Sequence, residues 1–144
     1  QSEGFLVGFL FDPLFHHPGW RDDYRKAIDL MSRYVDPEGV IWVSMGSFRF
    51  MPRLKQVIRR RHCRSSVLDG EFIQGLDGKM RYFRPIRTSL YGFIREELEK
   101  WHPDLGLYLC MESQSVWQES MRGFPHDSNA LSQYLDSRVR KFYK

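Results

Sequence analysis

The stretch that most constrains the chain is Phe5-Leu6-Val7-Gly8-Phe9-Leu10-Phe11, an unbroken apolar run stopped by Asp12-Pro13. A strand with one wet face alternates apolar and polar side chains. A run with no polar member suits a strand covered on both faces, as in a parallel sheet. Parallel strands need crossovers, and helical patterns supply them. After loop signals through Pro18-Gly19, Trp20 leads into Tyr24, Ala27, Ile28, Met31, Tyr34 and Val35 at helical spacing. Asp36-Pro37-Glu38-Gly39 breaks that helix, Val40 to Met45 reads as a second strand closed by Gly46-Ser47, and Leu54, Val57 and Ile58 mark a second, shorter helix.

The same alternation continues. Ser66 to Phe72 is expected as a third strand, with a loop punctuated by Gly75 and Gly78 after it. Pro85, whose fixed φ suits a first turn, opens a helix running to Trp101. Leu107 to Met111 is the fourth expected strand, and a short helix holds Val116, Trp117 and Met121. Gly123-Phe124-Pro125 punctuates, and Ser128 caps a last helix that turns Leu131, Tyr134, Leu135, Val139 and Phe142 inward. The expectation is an α/β fold of four consecutive βα units, with parallel strands in sequential order, a curved sheet and helices on its outer face. Residues 1–124 would form that unit, and residues 125–144 a C-terminal helix packing on it.

Strand parity then locates a candidate site. Leu107, Leu109 and Met111 share one face, and Tyr108, Cys110 and Glu112 the other. A helix-covered outer face takes the aliphatics, which aims Cys110 and Glu112 inside. The same parity ends the other three strands at Asp12, Ser44 and Glu71. Each alone is a common turn or cap residue, but four converging at a carboxyl rim point to a ligand site. Lys79, Arg81, Arg84 and Arg87 are interleaved with Tyr82 and Phe83 on the loop after the third strand. Such cations suit an anionic group, and such rings can stack on a base.

Composition bounds the function. At 144 residues the chain can bury the core of one domain, and no apolar run reaches bilayer length. Cys63 and Cys110 have neither metal-site spacing nor the density of a secreted scaffold, so a reducing cytoplasm is expected and no resident metal. The net charge of +4 is modest. Arg59-Arg60-Arg61-His62-Cys63-Arg64 is the densest basic patch, and it reads first as a solvated helix end complementing the dipole. His16-His17 reads as polar loop residues. No nucleophile elbow or phosphate-cradling glycine loop supports a hydrolase of phosphate esters.

Several of these segments, in this order, carry a family likeness: Val7 to Pro13 with Pro18-Gly19-Trp20, Ser44 to Phe50, Gly70-Glu71-Phe72 with Gly75 to Arg87, and Leu107 to Ser113 with Trp117. Together they resemble the C-terminal half of spore photoproduct lyase-like radical SAM proteins, over about residues 5 to 124. The resemblance implies the C-terminal half of a partial (βα)6 TIM-like barrel. It also implies S-adenosylmethionine and a [4Fe–4S] cluster, the latter held by three cysteines of a C-x3-C-x2-C loop in the N-terminal half. That motif is absent from this sequence. Leu10 also departs from a histidine common at that place in such proteins. The expectation is therefore part of a longer enzyme, inactive alone, whose partner is the missing N-terminal half. Its substrate would be a nucleic acid, a nucleotide or another anion. The rim residues implied are Asp12, Ser44, Glu71, Lys79, Arg81, Tyr82, Arg84, Cys110 and Glu112. The second reading is a non-catalytic basic α/β module that binds nucleic acid through Arg59 to Arg64 and Lys79 to Arg87. In the first reading the apolar strand Phe5 to Phe11 pairs with a strand of the absent half.

Overall fold

The structure, a computed structural model, describes residues 4–123 and 127–143. Strand β1 (Val7–Leu14) leads to helix α1 (Trp20–Tyr34), strand β2 (Val40–Ser47), the short strand β3 (Arg49–Phe50) and helix α2 (Leu54–Arg61). Then come strands β4 (Phe72–Gln74) and β5 (Met80–Tyr82), helix α3 (Arg84–Trp101), strand β6 (Leu107–Leu109) and helices α4 (Gln114–Ser120) and α5 (Ser128–Phe142). Gly19, at φ +81, sets the turn into α1, a left-handed conformation that a side chain would strain. Asp22 and Asp23 lie in the first turn of α1 and Arg33 in its last, each at the favourable end of the helix dipole.

β1, β2 and β6 form a parallel sheet in the order β1-β2-β6. Phe11 is level with Met45 and Met45 with Leu109, so these three share one face. That face is sealed. Met45 is 0% and Leu109 2% exposed, against Ile28 of α1, Leu90, Ile94 and Leu98 of α3 and Val116 of α4. Each such side chain contributes roughly 1.5–3 kcal/mol through its removal from water. The alternate residues, Leu10, Ser44 and Tyr108, are level with one another on the opposite face. There the cover is incomplete, and Leu10 is 73% exposed. Trp42 lies across β1, where Gly8 makes room: a Cβ on Gly8 would sit 2.9 Å from the Trp42 Nε1. α5 lies against β2, and its Arg138 Nε donates to the Ile41 carbonyl at 3.4 Å.

Three expectations are corrected. The parallel sheet has three strands, not four, because residues 66–71 form turns and bends and do not join it. Val67-Leu68 is too short an apolar pair to cover both faces of a central strand, and Asp69-Gly70 turns the chain at once. Leu68 enters the core from this loop at 8% exposure. The chain becomes extended at Phe72, where β4 and β5 make an antiparallel hairpin joined by β3 in the order β3-β5-β4. The second correction concerns β6, which ends at Leu109. Met111 adopts φ +55, a left-handed conformation costing roughly 1–2 kcal/mol for a residue with a Cβ, and the strand parity stops there. At the other end of the chain, the cap of α5 is Asp127, which accepts from the Ala130 N–H at 2.8 Å; Ser128 is the first helical residue.

Candidate functional site

Two charged clusters occupy the carboxyl ends of the parallel strands. In the first, Asp12 from β1 meets Arg49 from β3 end-on, through both terminal guanidinium nitrogens. Nη1 donates to Oδ1 at 3.3 Å and Nη2 to Oδ2 at 3.2 Å. This two-pronged geometry fixes both planes as well as the separation. The Arg49 Nη1 also donates to the Ser47 carbonyl at 3.3 Å, and its Nη2 lies 3.7 Å from the Cys110 Sγ. Burial works against the charged guanidinium, but the hydrogen bond and charge of Asp12, with a smaller contribution from Cys110, outweigh it and raise its pKa. Gly46 gives Asp12 its place, since a Cβ there would lie 2.6–2.7 Å from the carboxylate atoms. Both partners are about four-fifths buried, so the pair is held yet within reach of a ligand.

The second cluster is deeper. Arg87 of α3 pairs with Glu112, with side-chain exposures of 8% and 4%. The Arg87 Nε donates to the Tyr82 carbonyl at 2.9 Å. Glu112 also accepts from the Tyr91 hydroxyl at 2.7 Å, and that hydroxyl in turn accepts from the Ser47 N–H at 2.7 Å. Burial, followed by the negative charge of Glu112, pushes the Tyr91 phenol well above its usual range. Four elements meet in this network: the end of β2, the end of β5, α3 and the turn after β6. It fastens the rim, and none of its groups is free to act on a ligand without breaking it.

The expected rim therefore divides. Asp12 and Cys110 come together through Arg49, and Ser44 lies one step below them at 2% exposure on the same face of the sheet. Glu112 does not join that face. The left-handed turn at Met111 redirects it to Arg87 and Tyr91 of helix α3, which packs on the sealed side. Glu71 is exposed in the loop before β4, because the strand expected to carry it does not enter the parallel sheet. Lys79 sits half-buried in the hairpin, without an ion pair among the described residues. Arg81 pairs with Asp77 at 2.6 Å and Arg84 with Glu119 at 3.6 Å. Tyr82 is 1% exposed, its ring stacked on Phe72 at 4.7 Å and its hydroxyl accepting from the His16 N–H at 3.3 Å, so no face is left for a base. The neighbouring ring with open surface is Phe83, 38% exposed.

Sequence reasoning missed Arg49 and Tyr91, and it gave Trp42 no role. No local pattern marks Arg49, whose partner lies 37 residues away. The hairpin did carry a signal: Asp77-Gly78, with Gly78 at φ +76 and its N–H bonded to the Gly75 carbonyl at 2.9 Å, is a favoured hairpin dipeptide. Among the described residues no group of three or more His, Cys, Asp or Glu side chains could hold a metal ion, and no helix is long and apolar enough to cross a membrane.

A scan of protein-family profiles finds no match to the chain, and a comparison with curated proteins finds none either. Solved structures do match. Spore photoproduct lyase complexed with dinucleoside spore photoproduct superposes at a TM-score of 0.63 with 20% identity, over 76% of this chain and 35% of that one. A cysteine-to-alanine mutant of that lyase with the same dinucleoside gives 0.65 and 21%, and a double mutant with bound AdoMet and the dinucleoside gives 0.62 and 21%, each over 76% and 35%. The chain spans about a third of the length of these structures. Over about three-quarters of its length, it has the fold of that part of spore photoproduct lyase.

Proposed function

We propose that this chain is the substrate-side part of a radical SAM enzyme resembling spore photoproduct lyase, acting on a nucleic-acid-related or other anionic substrate. The observation that carries the reading is the asymmetry of the parallel sheet. One face is packed by helices, and the other is left open below a fixed Asp12–Arg49–Cys110 cluster. Enzymes of βα architecture place substrates at the carboxyl ends of their strands, and that is where this cluster lies. The lyase structures with a dinucleoside bound support a substrate of related chemistry.

The iron–sulfur cluster does not fit the residues present. Such clusters take several thiolates; Cys63 is exposed beyond α2, and Cys110 sits at the end of β6 beside Arg49. No step is assigned through the cluster or through S-adenosylmethionine on this chain. The chain's own contribution is binding and shielding. Arg49 holds Asp12 and can offer an N–H to an anionic oxygen, and Trp42 with Tyr108, edge to face at 6.5 Å, forms an apolar shelf. Lys79 and Phe83 of the hairpin segment supply a further cation and ring.

Reading the coding sequence upstream of Gln1 tests the class. The expected result is an in-frame segment with three cysteines at C-x3-C-x2-C spacing. A long upstream reading frame without them, or a stop codon directly before Gln1, contradicts the proposal.

A further inference from the structure

The chain's charge is unevenly placed. Residues 39–68 contain no acid and seven cations: Arg49, and six on or beside α2, namely Arg53, Lys55, Arg59, Arg60, Arg61 and Arg64. Without those seven, the net charge of +4 becomes −3. Elsewhere several exposed cations are matched with acids, as in Arg25–Asp22, Lys26–Asp23 and Lys100–Glu97, and Arg33, Arg140 and Lys141, which make no ion pair among the described residues, stand in the last turns of α1 and α5. Around α2 no such match is made. All six are exposed, and none makes an ion pair among the described residues.

Helix-dipole complementation accounts for only half of this set. Arg59, Arg60 and Arg61 lie in the last turn, where a cation is favourable, but Arg53 caps the start of α2 and Lys55 is in its first turn. A cation at that end is unfavourable. No residue of α2 is buried, so core packing does not explain the composition either. A surface that holds six like charges without partners is suited to a partner that brings the opposite charge.

We infer that α2 and the residues flanking it form a docking surface for the phosphate backbone of a nucleic acid, read without regard to base sequence. Five of the six cations are arginine, whose planar fork grips a phosphate through two N–H groups and stays charged at any working pH. Anionic lipid is the competing polyanion. Met51, Leu54 and Val57 are 41–46% exposed here, but α2 is eight residues, about 12 Å, too short to present the apolar face that interfacial helices bury. The inference adds a binding surface to the nucleic-acid-related substrate of the proposed function, but its observations are separate: α2 lies between the sequence segments that carry the lyase resemblance, and the binding needs no cofactor.

The test is fluorescence anisotropy of a labelled 20-base-pair duplex titrated with the 144-residue chain at several salt concentrations. Binding of order 10 μM is expected, with log K falling against log salt at a slope of about −4, as for four or five neutralised phosphates. The Arg59→Gln/Arg60→Gln/Arg61→Gln variant, checked for fold by circular dichroism, should bind at least tenfold more weakly and lose about 2 to 3 of that slope. Lys79→Gln/Arg84→Gln in the hairpin segment should leave the slope nearly unchanged. The inference is overturned by a duplex affinity insensitive to salt, by a hairpin variant that loses binding while the α2 variant keeps it, or by preference for anionic phospholipid vesicles over duplex. Missing cluster cysteines upstream would sink the proposed function without touching this result, and the converse also holds.

Discussion

The two faces of the β1–β2–β6 sheet are made from the same three strands and differ in almost every physical respect. On one, Met45 and Leu109 are sealed under helices; on the other, Leu10 stands 73% exposed beside Trp42 and Tyr108. The rim clusters follow the same division. Arg87–Glu112 faces the helices with nearly all its surface buried, whereas Asp12–Arg49 retains about a fifth of its own. Stability is concentrated on the sealed side, and the capacity to meet a ligand or a further strand is left to the open one.

The largest effect is expected at the buried ion pair. Replacing Arg87 by Ala leaves Glu112 charged with one partner gone, and should cost about 3–5 kcal/mol in urea unfolding. The double change Arg87→Met/Glu112→Leu should recover much of that loss, because no buried charge is left unpaired. Equal costs for the single and double variants would show that the pair contributes through packing alone.

Within the sheet, Met45→Ala should cost about 2–5 kcal/mol, while Leu10→Ala, one pleat away on β1 but on the open face, should stay within roughly 0.5 kcal/mol. Similar losses at the two positions would mean that the open face is covered. A smaller effect belongs to pH. Tyr91 has its pKa raised in the folded protein by burial and by Glu112. Its contribution is therefore complete below the unfolded tyrosine value of about 10 and declines as pH rises through and beyond it. Melting temperature measured from pH 8 to 11 should fall less steeply above pH 10 in Tyr91→Phe than in the parent. A parallel fall in both proteins would remove Tyr91 as a cause.

Where the sequence was readable, local physics was decisive. The apolar run into β1, the break at Asp36 to Gly39 and the helix opened by Pro85 all depend on neighbours within a few residues. The third strand was misjudged because Val67-Leu68 looks like strand core from sequence, while the Asp69-Gly70 turn and the Asp77-Gly78 hairpin compete for the same segment. Strand parity reaches Glu112 only if it is extended three residues past the end of β6 at Leu109, across the left-handed Met111. Arg49 was not legible at all. Its role comes from Asp12 and Cys110, which tertiary structure brings to it from 37 and 61 positions away.

The central claim, that the face carrying Leu10 is built to be covered by something outside this chain, is tested most directly by multi-angle light scattering during size-exclusion chromatography. An exposed apolar strand face promotes association when it lies beside an edge, here that of β1, that no other described strand pairs with. The account predicts that the 144-residue chain has an apparent mass above that of one chain, rising with concentration, and that Leu10→Lys returns it to a single-chain mass without loss of melting temperature. A parent protein that remains at single-chain mass at high concentration would contradict it.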